Sequence, residues 1–350
     1  MNPYILCTLL MGLGLGTTIT FASSHWLLAW MGLEMNTLAI LPLMAQYHHP
    51  RAVEATTKYF LVQSAAAATI LFAGSTNAWM SGQWDINFNM HPLPLSLLSV
   101  ALFLKIGLAP LHAWMPEVLQ GLDLTTGLIM STWQKLAPFA LLVQVAPNTP
   151  AMLTSLGLLS MLVGGWGGLN HTQLRKILAY SSIAHLGWMI IVLQFSTSMT
   201  VLTLLLYIIM TTSVFLLFKI LKTTSMNKLA ISWSKIPTVT ALTPLILLSL
   251  GGLPPLSGFM PKWFIIQELT KQELGVIATL AALSALLSLF FYLRICFSLA
   301  LTSSPNNVLG LTSWRLMNKQ NTLLMSTFTS LSLLLLPLTP AILAITVSMQ

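Results

Sequence analysis

Residues 107–117 read GLAPLHAWMPE and residues 252–262 read GLPPLSGFMPK, so Gly, Leu, Pro, Leu, an aromatic, Met and Pro recur at one spacing. Each copy follows a long apolar run, residues 94–106 before the first and 238–251 before the second. Pro110 and Pro255 have no backbone N–H and their rings clash with the preceding turn, so a helix cannot run unbroken through either copy. In lipid a freed carbonyl costs several kcal/mol unless protein or water satisfies it, so a break at membrane depth lines a cavity. Paired interrupted helices at corresponding places of two halves mark the working centre of a membrane transporter. Chance in a Leu-rich chain would supply the Leu matches, but not the Gly, Pro and Met matches. Gly107, Pro110, Gly252 and Pro255 are therefore read as the two helix breaks.

Composition sets the solvent. Hydrophobic residues make up 56% of the chain and charged residues 6%, against roughly 25% charge in an ordinary soluble domain. This is the composition of an all-α polytopic membrane protein. Two cysteines, Cys7 and Cys296, supply neither a disulfide framework nor a metal or iron–sulfur set. No metal site and no cofactor-binding residue is expected in this chain. The start MNPYILC enters an apolar span without a basic leader, so no cleavable presequence is expected.

A hydropathy window of about 20 residues gives eleven spans, at 3–22, 26–45, 59–80, 94–116, 125–145, 151–169, 177–195, 199–221, 238–267, 275–299 and 322–346, each broken segment counted as one crossing. Connections are short, so a single transmembrane domain is expected over 1–350: a first repeat at 1–148, a second at 149–299, and a surface loop with a final helix at 300–350. Eleven spans put Arg51, Lys58, Arg175, Lys176, Lys219, Lys222, Lys228, Lys235, Arg294, Arg315 and Lys319 on one face, and only Lys271 on the other. That asymmetry is a strong positive-inside signal and places the N-terminus on the basic side. The net charge of +8 reports topology, and no nucleic-acid partner is implied.

The remaining basic residues, Lys105, Lys135 and Lys262, fall at membrane depth. Each costs roughly 2.5–3.5 kcal/mol at a helix centre and needs a partner, a water-filled cavity or a neutral state. Glu34, midway along the second span in WMGLEMNTLAI, is the natural counter-charge. Lys105 stands two residues before Gly107, Lys262 directly after the second break, and Lys135 in STWQKLAPF three residues before Pro138. Snorkelling to the interface would also account for Lys262, and a purely structural ion pair for Glu34. Burial disfavours a charged group and a nearby opposite charge restores it, so buried acids and amines held near balance can exchange protons when a neighbour changes charge. His112, after the first break, and His185, in AYSSIAHLGWM, extend this row, although a lone buried His is commonly just a satisfied core residue. His25, His48, His49, His91 and His171 fall at span ends or in loops.

GLGLG at 12–16 lacks the preceding strand of a phosphate-cradling loop and reads as a small-residue packing surface, as does GGWGG at 164–168. No G-x-G-x-x-G stands in a βαβ unit, so no nicotinamide site is expected. The segments LFLKIGLAPLHAWMPEV, STWQKLAPF, RKILAYSSIAHLGWM and GGLPPLSGFMPKW resemble the antiporter-like membrane subunits of respiratory complex I. The resemblance covers essentially the whole chain. It implies two inverted five-helix repeats, each with a broken fourth helix, followed by a final helix. It also implies a departure from the fourteen-helix family pattern, with three N-terminal spans missing.

What the resemblance implies for function is a non-redox subunit that moves protons through Glu34, Lys105, Lys135, His185 and Lys262, driven by quinone reduction elsewhere in the complex. NADH, flavin, iron–sulfur clusters and ubiquinone would belong to other subunits. The partners would be other membrane subunits of complex I and lateral lipids, in the mitochondrial inner membrane with the N-terminus and basic loops toward the matrix. A stand-alone cation/proton antiporter would share this fold. A haem or quinone electron carrier would need paired histidines at matched depth, where only His112 and His185 lie.

Overall fold

A computed structural model describes residues 2–46, 48–86, 90–145, 150–234, 236–301 and 322–348. Lys235, Arg315 and Lys319 of the charge comparison, and nearly all of the expected surface loop, lie outside them. The described residues are mainly helical, with short turns and loops between the helices, and β-type pairing among them is confined to two isolated bridges, His25 to Asp85 and Gln173 to Ser225. Contacts divide the chain into two compact units, Met1–Leu156 and Gly157–Gln350.

The first unit holds α1 (Pro3–Ala22), α2 (Trp26–Met44), α3 (Pro50–Ser81), α4 (Pro92–Ile106), α5 (Trp114–Gly121), α6 (Leu124–Ser131) and α7 (Trp133–Val145). Local chemistry fixes their starts. Asn2 Oδ1 accepts from Tyr4 N–H, and the rings of His25 and His49 accept from Leu27 and Arg51 N–H, so two of the span-end histidines are N-caps. Helices α1 and α2 approach through Gly16 and Gly32, where a β carbon on either would meet the other's carbonyl oxygen. Small residues permit this proximity, and dispersion between the backbones holds it. Helix α3 packs on α2, α4 and α5, and α4 packs on α7.

The second unit begins within α8 (Pro150–Gly167) and continues through α9 (Leu174–Leu193), α10 (Thr197–Leu221), the short α11 (Met226–Ala230), α12 (Pro237–Gly251), α13 (Phe259–Lys271), α14 (Gly275–Ala300), α15 (Leu323–Leu334) and α16 (Thr339–Ser348). Helix α10 is its hub, packing on α9, α12, α13 and α15. Gly164, Gly167 and Gly168 lie against Ala184, Tyr180 and Phe291, as a packing surface should.

Among the described residues seven helices are individually long and apolar enough to cross a membrane, and α15 with α16 makes an eighth if that pair, bent by 67°, is one span. The expected spans at 94–116 and 238–267 each appear as two helices around a break, α4 with α5 and α12 with α13. Two spans expected to be continuous are not. The one at 125–145 is interrupted at Thr132, whose hydroxyl back-bonds to Leu128 O at 2.7 Å. Pro138 also offers no N–H to the carbonyl of Gln134, which weakens the first turn of α7. The final span bends at Leu335, beside Pro337.

Candidate functional site

Both helix breaks are built alike. Gly107 and Gly252 end α4 and α12 at φ of +85° and +77°, the left-handed conformation that glycine adopts without steric cost. Each N–H turns back onto its own helix, Gly107 N to Phe103 O at 2.9 Å and Gly252 N to Ser249 O at 3.0 Å. The peptide bonds preceding Pro110 and Pro255 are both cis.

The breaks differ in what satisfies the freed carbonyls. At the first, Trp114 Nε1 donates to Leu104 O at 3.2 Å and Gln63 Nε2 donates to Lys105 O at 3.3 Å. Gln63 is buried on α3 and was not among the residues expected from sequence; its place in an otherwise apolar and small-residue stretch of α3 was the available signal. At the second break the donor is the buried lysine, because Lys262 Nζ lies 2.7 Å from Gly251 O. The Lys262 side chain runs directly over Gly252, so closely that a β carbon there would sit 2.8 Å from its Cδ.

In the first unit, Lys105 on the last turn of α4 and Lys135 on the first turn of α7 are 7% and 4% exposed. They line one cavity of about 20 Å³ with Asn36, Tyr59, Gln63 and Gln134. That volume is room for about one water molecule. The Lys105 ammonium, both polar atoms of the Asn36 amide and Glu34 Oε2 are buried without hydrogen-bond partners among the described residues. The ion pair between Glu34 and Lys105 that the sequence suggested is therefore not formed.

The second unit brings His185 of α9 and Lys262 of α13 to a second cavity of about 20 Å³, with Thr203, Met210 and Gly258. The His185 ring lies 5.7 Å from that of Tyr207, tilted by 45°. Lys262 also borders a mainly apolar hollow of about 250 Å³ between α13 and α14. His112 stays beside its own break, Nδ1 3.2 Å from Pro110 O, and lines neither of the small cavities. Among the described residues no three His, Cys, Asp or Glu side chains gather as a metal site.

Each unit thus places a buried lysine and a second titratable side chain on one small cavity. Comparison with known proteins agrees with the resemblance in the sequence. Residues 23–288 match the family described as NADH:quinone oxidoreductase/Mrp antiporter, TM, and residues 289–343 match the NADH dehydrogenase subunit 2 C-terminus. NADH-ubiquinone oxidoreductase chain 2 of Tetraodon nigroviridis is 67% identical over 345 residues, covering 99% of both chains. The same chain of Gadus morhua is 66% identical at the same coverage. A chain of respiratory complex I from Thermus thermophilus superposes with a TM-score of 0.81 at 28% identity, over 95% of this chain and 80% of that one. A chain of the Mrp complex from a Dietzia species shares the fold at a TM-score of 0.73 and 16% identity, over 98% of this chain and 74% of that one. By sequence along its whole length and by fold, this chain is a member of the NADH:quinone oxidoreductase/Mrp antiporter membrane-subunit family, on the NADH-ubiquinone oxidoreductase chain 2 branch.

Proposed function

We propose that the chain is a proton-translocating membrane subunit of NADH:ubiquinone oxidoreductase, working through Glu34, Lys105 and Lys135 in its first unit and His185 and Lys262 in its second. One observation carries this reading: in each unit a lysine at a helix break shares a water-sized cavity with a second titratable side chain. Lys105 has no partner for its ammonium among the described residues, so its charge answers to that of Glu34 and to whatever occupies the cavity. A change in charge at Glu34, driven by quinone chemistry in another subunit, alters the cost of keeping Lys105 protonated and passes a proton toward Lys135. In the second unit Lys262 must leave Gly251 O to exchange with His185 or cavity water. His112, outside both cavities, is left a minor role at the mouth of the first break.

On this reading the chain crosses the mitochondrial inner membrane eleven times, each broken pair counting as one crossing. The repeats fall at 1–148 and 149–299, inverted with respect to each other, and a final span follows. The N-terminus and basic loops face the matrix, the partners are other membrane subunits of the complex and lateral lipids, and flavin, iron–sulfur clusters and ubiquinone sit in other subunits. The match of residues 289–343 to a subunit 2 C-terminus favours this over a stand-alone antiporter. Replacing Lys105, Lys135 or Lys262 by Met in the assembled complex, reconstituted in vesicles, tests it. Protons moved per NADH oxidised should fall at normal subunit abundance. Loss of activity only in proportion to abundance would make the lysines structural and end the proposal.

A further inference from the structure

The loop between α12 and α13 is fastened to the C-terminal span by one side chain. Ser257 is 1% exposed and donates its hydroxyl to the backbone carbonyl of Ser332, a residue 0% exposed on α15. Ser332 stands one turn before the 67° bend between α15 and the following turn. There the backbone ladder runs out, since Pro337 has no N–H and Leu338 N–H reaches only to Leu335 O. The Ser332 hydroxyl is already engaged, donating to Thr329 O at 2.9 Å, so the loop reads a backbone atom and not the serine side chain. Next to Ser257, Gly258 leaves no room for a β carbon against Ser249 O, which presses the loop flat on the end of α12. Five residues beyond Ser257 is Lys262, on the first turn of α13 and bonded to Gly251 O. A carbonyl of the last span thus holds the loop that leads into the first turn of α13, where Lys262 stands.

We propose that the C-terminal span, residues 323–344, is a positioning element for Lys262, acting through the Ser257 hydroxyl on the Ser332 carbonyl. This rests on Lys262 being a proton-transfer group. Four variants in the assembled, reconstituted complex decide it, read as protons moved per NADH oxidised at equal amounts of complex. Ser257→Thr keeps the hydroxyl and Ser332→Ala keeps the carbonyl, so both should pump as the unmodified complex does. Ser257→Val, the shape of Thr without its hydroxyl, should lose roughly threefold, the effect of removing one average hydrogen bond between membrane helices. Ser257→Ala should lose as much, and decides the matter if the valine variant fails to assemble. Equal pumping by the Thr variant and the hydroxyl-free variants overturns the proposal, as does a loss in Ser332→Ala matching that in Ser257→Ala. Lys262→Met, measured alongside, separates the two ideas: normal pumping there removes the role of Lys262 itself. A silent Lys262→Met complex beside a fully active Ser257→Ala one leaves that role standing and removes only the positioning by α15.

Discussion

Gly252→Ala should damage pumping far more than it damages assembly, and Gly107→Ala should not. Both residues hold a left-handed backbone, at φ of +77° and +85°, so each alanine carries about 1–2 kcal/mol of backbone cost. The surroundings then separate them. At Gly107 the new β carbon meets Trp114 Cζ2 at 3.2 Å and Met115 Sδ at 3.3 Å, contacts that ease if the neighbours give by a few tenths of an ångström. At Gly252 it meets Lys262 Cδ at 2.8 Å, with Cε and Nζ at 3.0 Å, so the lysine must swing away. Swinging away breaks the bond to Gly251 O, worth on the order of 1.5–3 kcal/mol for a charged donor. At about 1.4 kcal/mol per factor of ten, occupancy of the observed Lys262 position falls roughly tenfold to a hundredfold. The assay is proton uptake into vesicles per NADH oxidised, normalised to assembled complex, for both variants and for Gly252→Ala combined with Lys262→Met. The combined variant should be no worse than Lys262→Met alone, because neighbouring changes that act through one contact do not add. Equal pumping ratios for the two glycine variants, or an additive combined variant, would refute the reasoning.

Glu34→Gln should assemble and yet lose most coupled turnover, because the acid proposed to act on Lys105 is gone; normal coupled activity would remove Glu34 from the mechanism. Gln63→Leu strands the carbonyl of Lys105 at the first break, a cost of about 1–3 kcal/mol for a buried acceptor, and should lower the melting temperature of the complex unless water replaces the amide. Cysteines placed at positions 228 and 271 should react with impermeant reagents from opposite sides of the membrane, Lys228 lying on α11 and Lys271 at the end of α13. Same-side labelling would mean that the second broken segment re-enters instead of spanning, and the inverted-repeat arrangement would fall with it.

The sequence was most legible where a residue acts on its own turn. The first span, expected from residue 3, starts at Pro3, and both breaks sit at the Gly-Leu-x-Pro pair, whereas the third helix starts at Pro50, nine residues before the expected span at 59–80, because the polar turn carrying Arg51, Glu54 and Lys58 lowers the hydropathy there. Lys105, Lys135 and Lys262 announced themselves by cost alone, since a cation at membrane depth demands a structural reason. The interruption at Thr132 was also written locally, in Thr132 and Pro138, but an apolar window hides a single back-bonded turn. What the sequence could not show is which distant donor answers each freed carbonyl. Gln63 comes from 42 residues away to serve Lys105 O, and Ser257 finds its acceptor 75 residues on. Nor could it show that Glu34 and Lys105 stand apart, because complementary charge in a sequence says nothing of distance.

Different donors make two similar motifs chemically unlike. At the first break neutral groups, the Trp114 indole and the Gln63 amide, cap the carbonyls, and the Lys105 ammonium is left without a partner among the described residues. At the second break Lys262 is itself the cap on Gly251 O. An unpartnered ammonium responds to small changes of field, since nothing local has to break first. A lysine that holds a helix end together must surrender a hydrogen bond of on the order of 1.5–3 kcal/mol before it can transfer its proton elsewhere. On the proposed mechanism Lys105 is thus suited to sensing charge and Lys262 to holding a proton until it is displaced, and the difference lies partly within the motif, whose aromatic is Trp114 in one copy and Phe259 in the other and whose last residue is Glu117 or Lys262, and partly in Gln63 of α3.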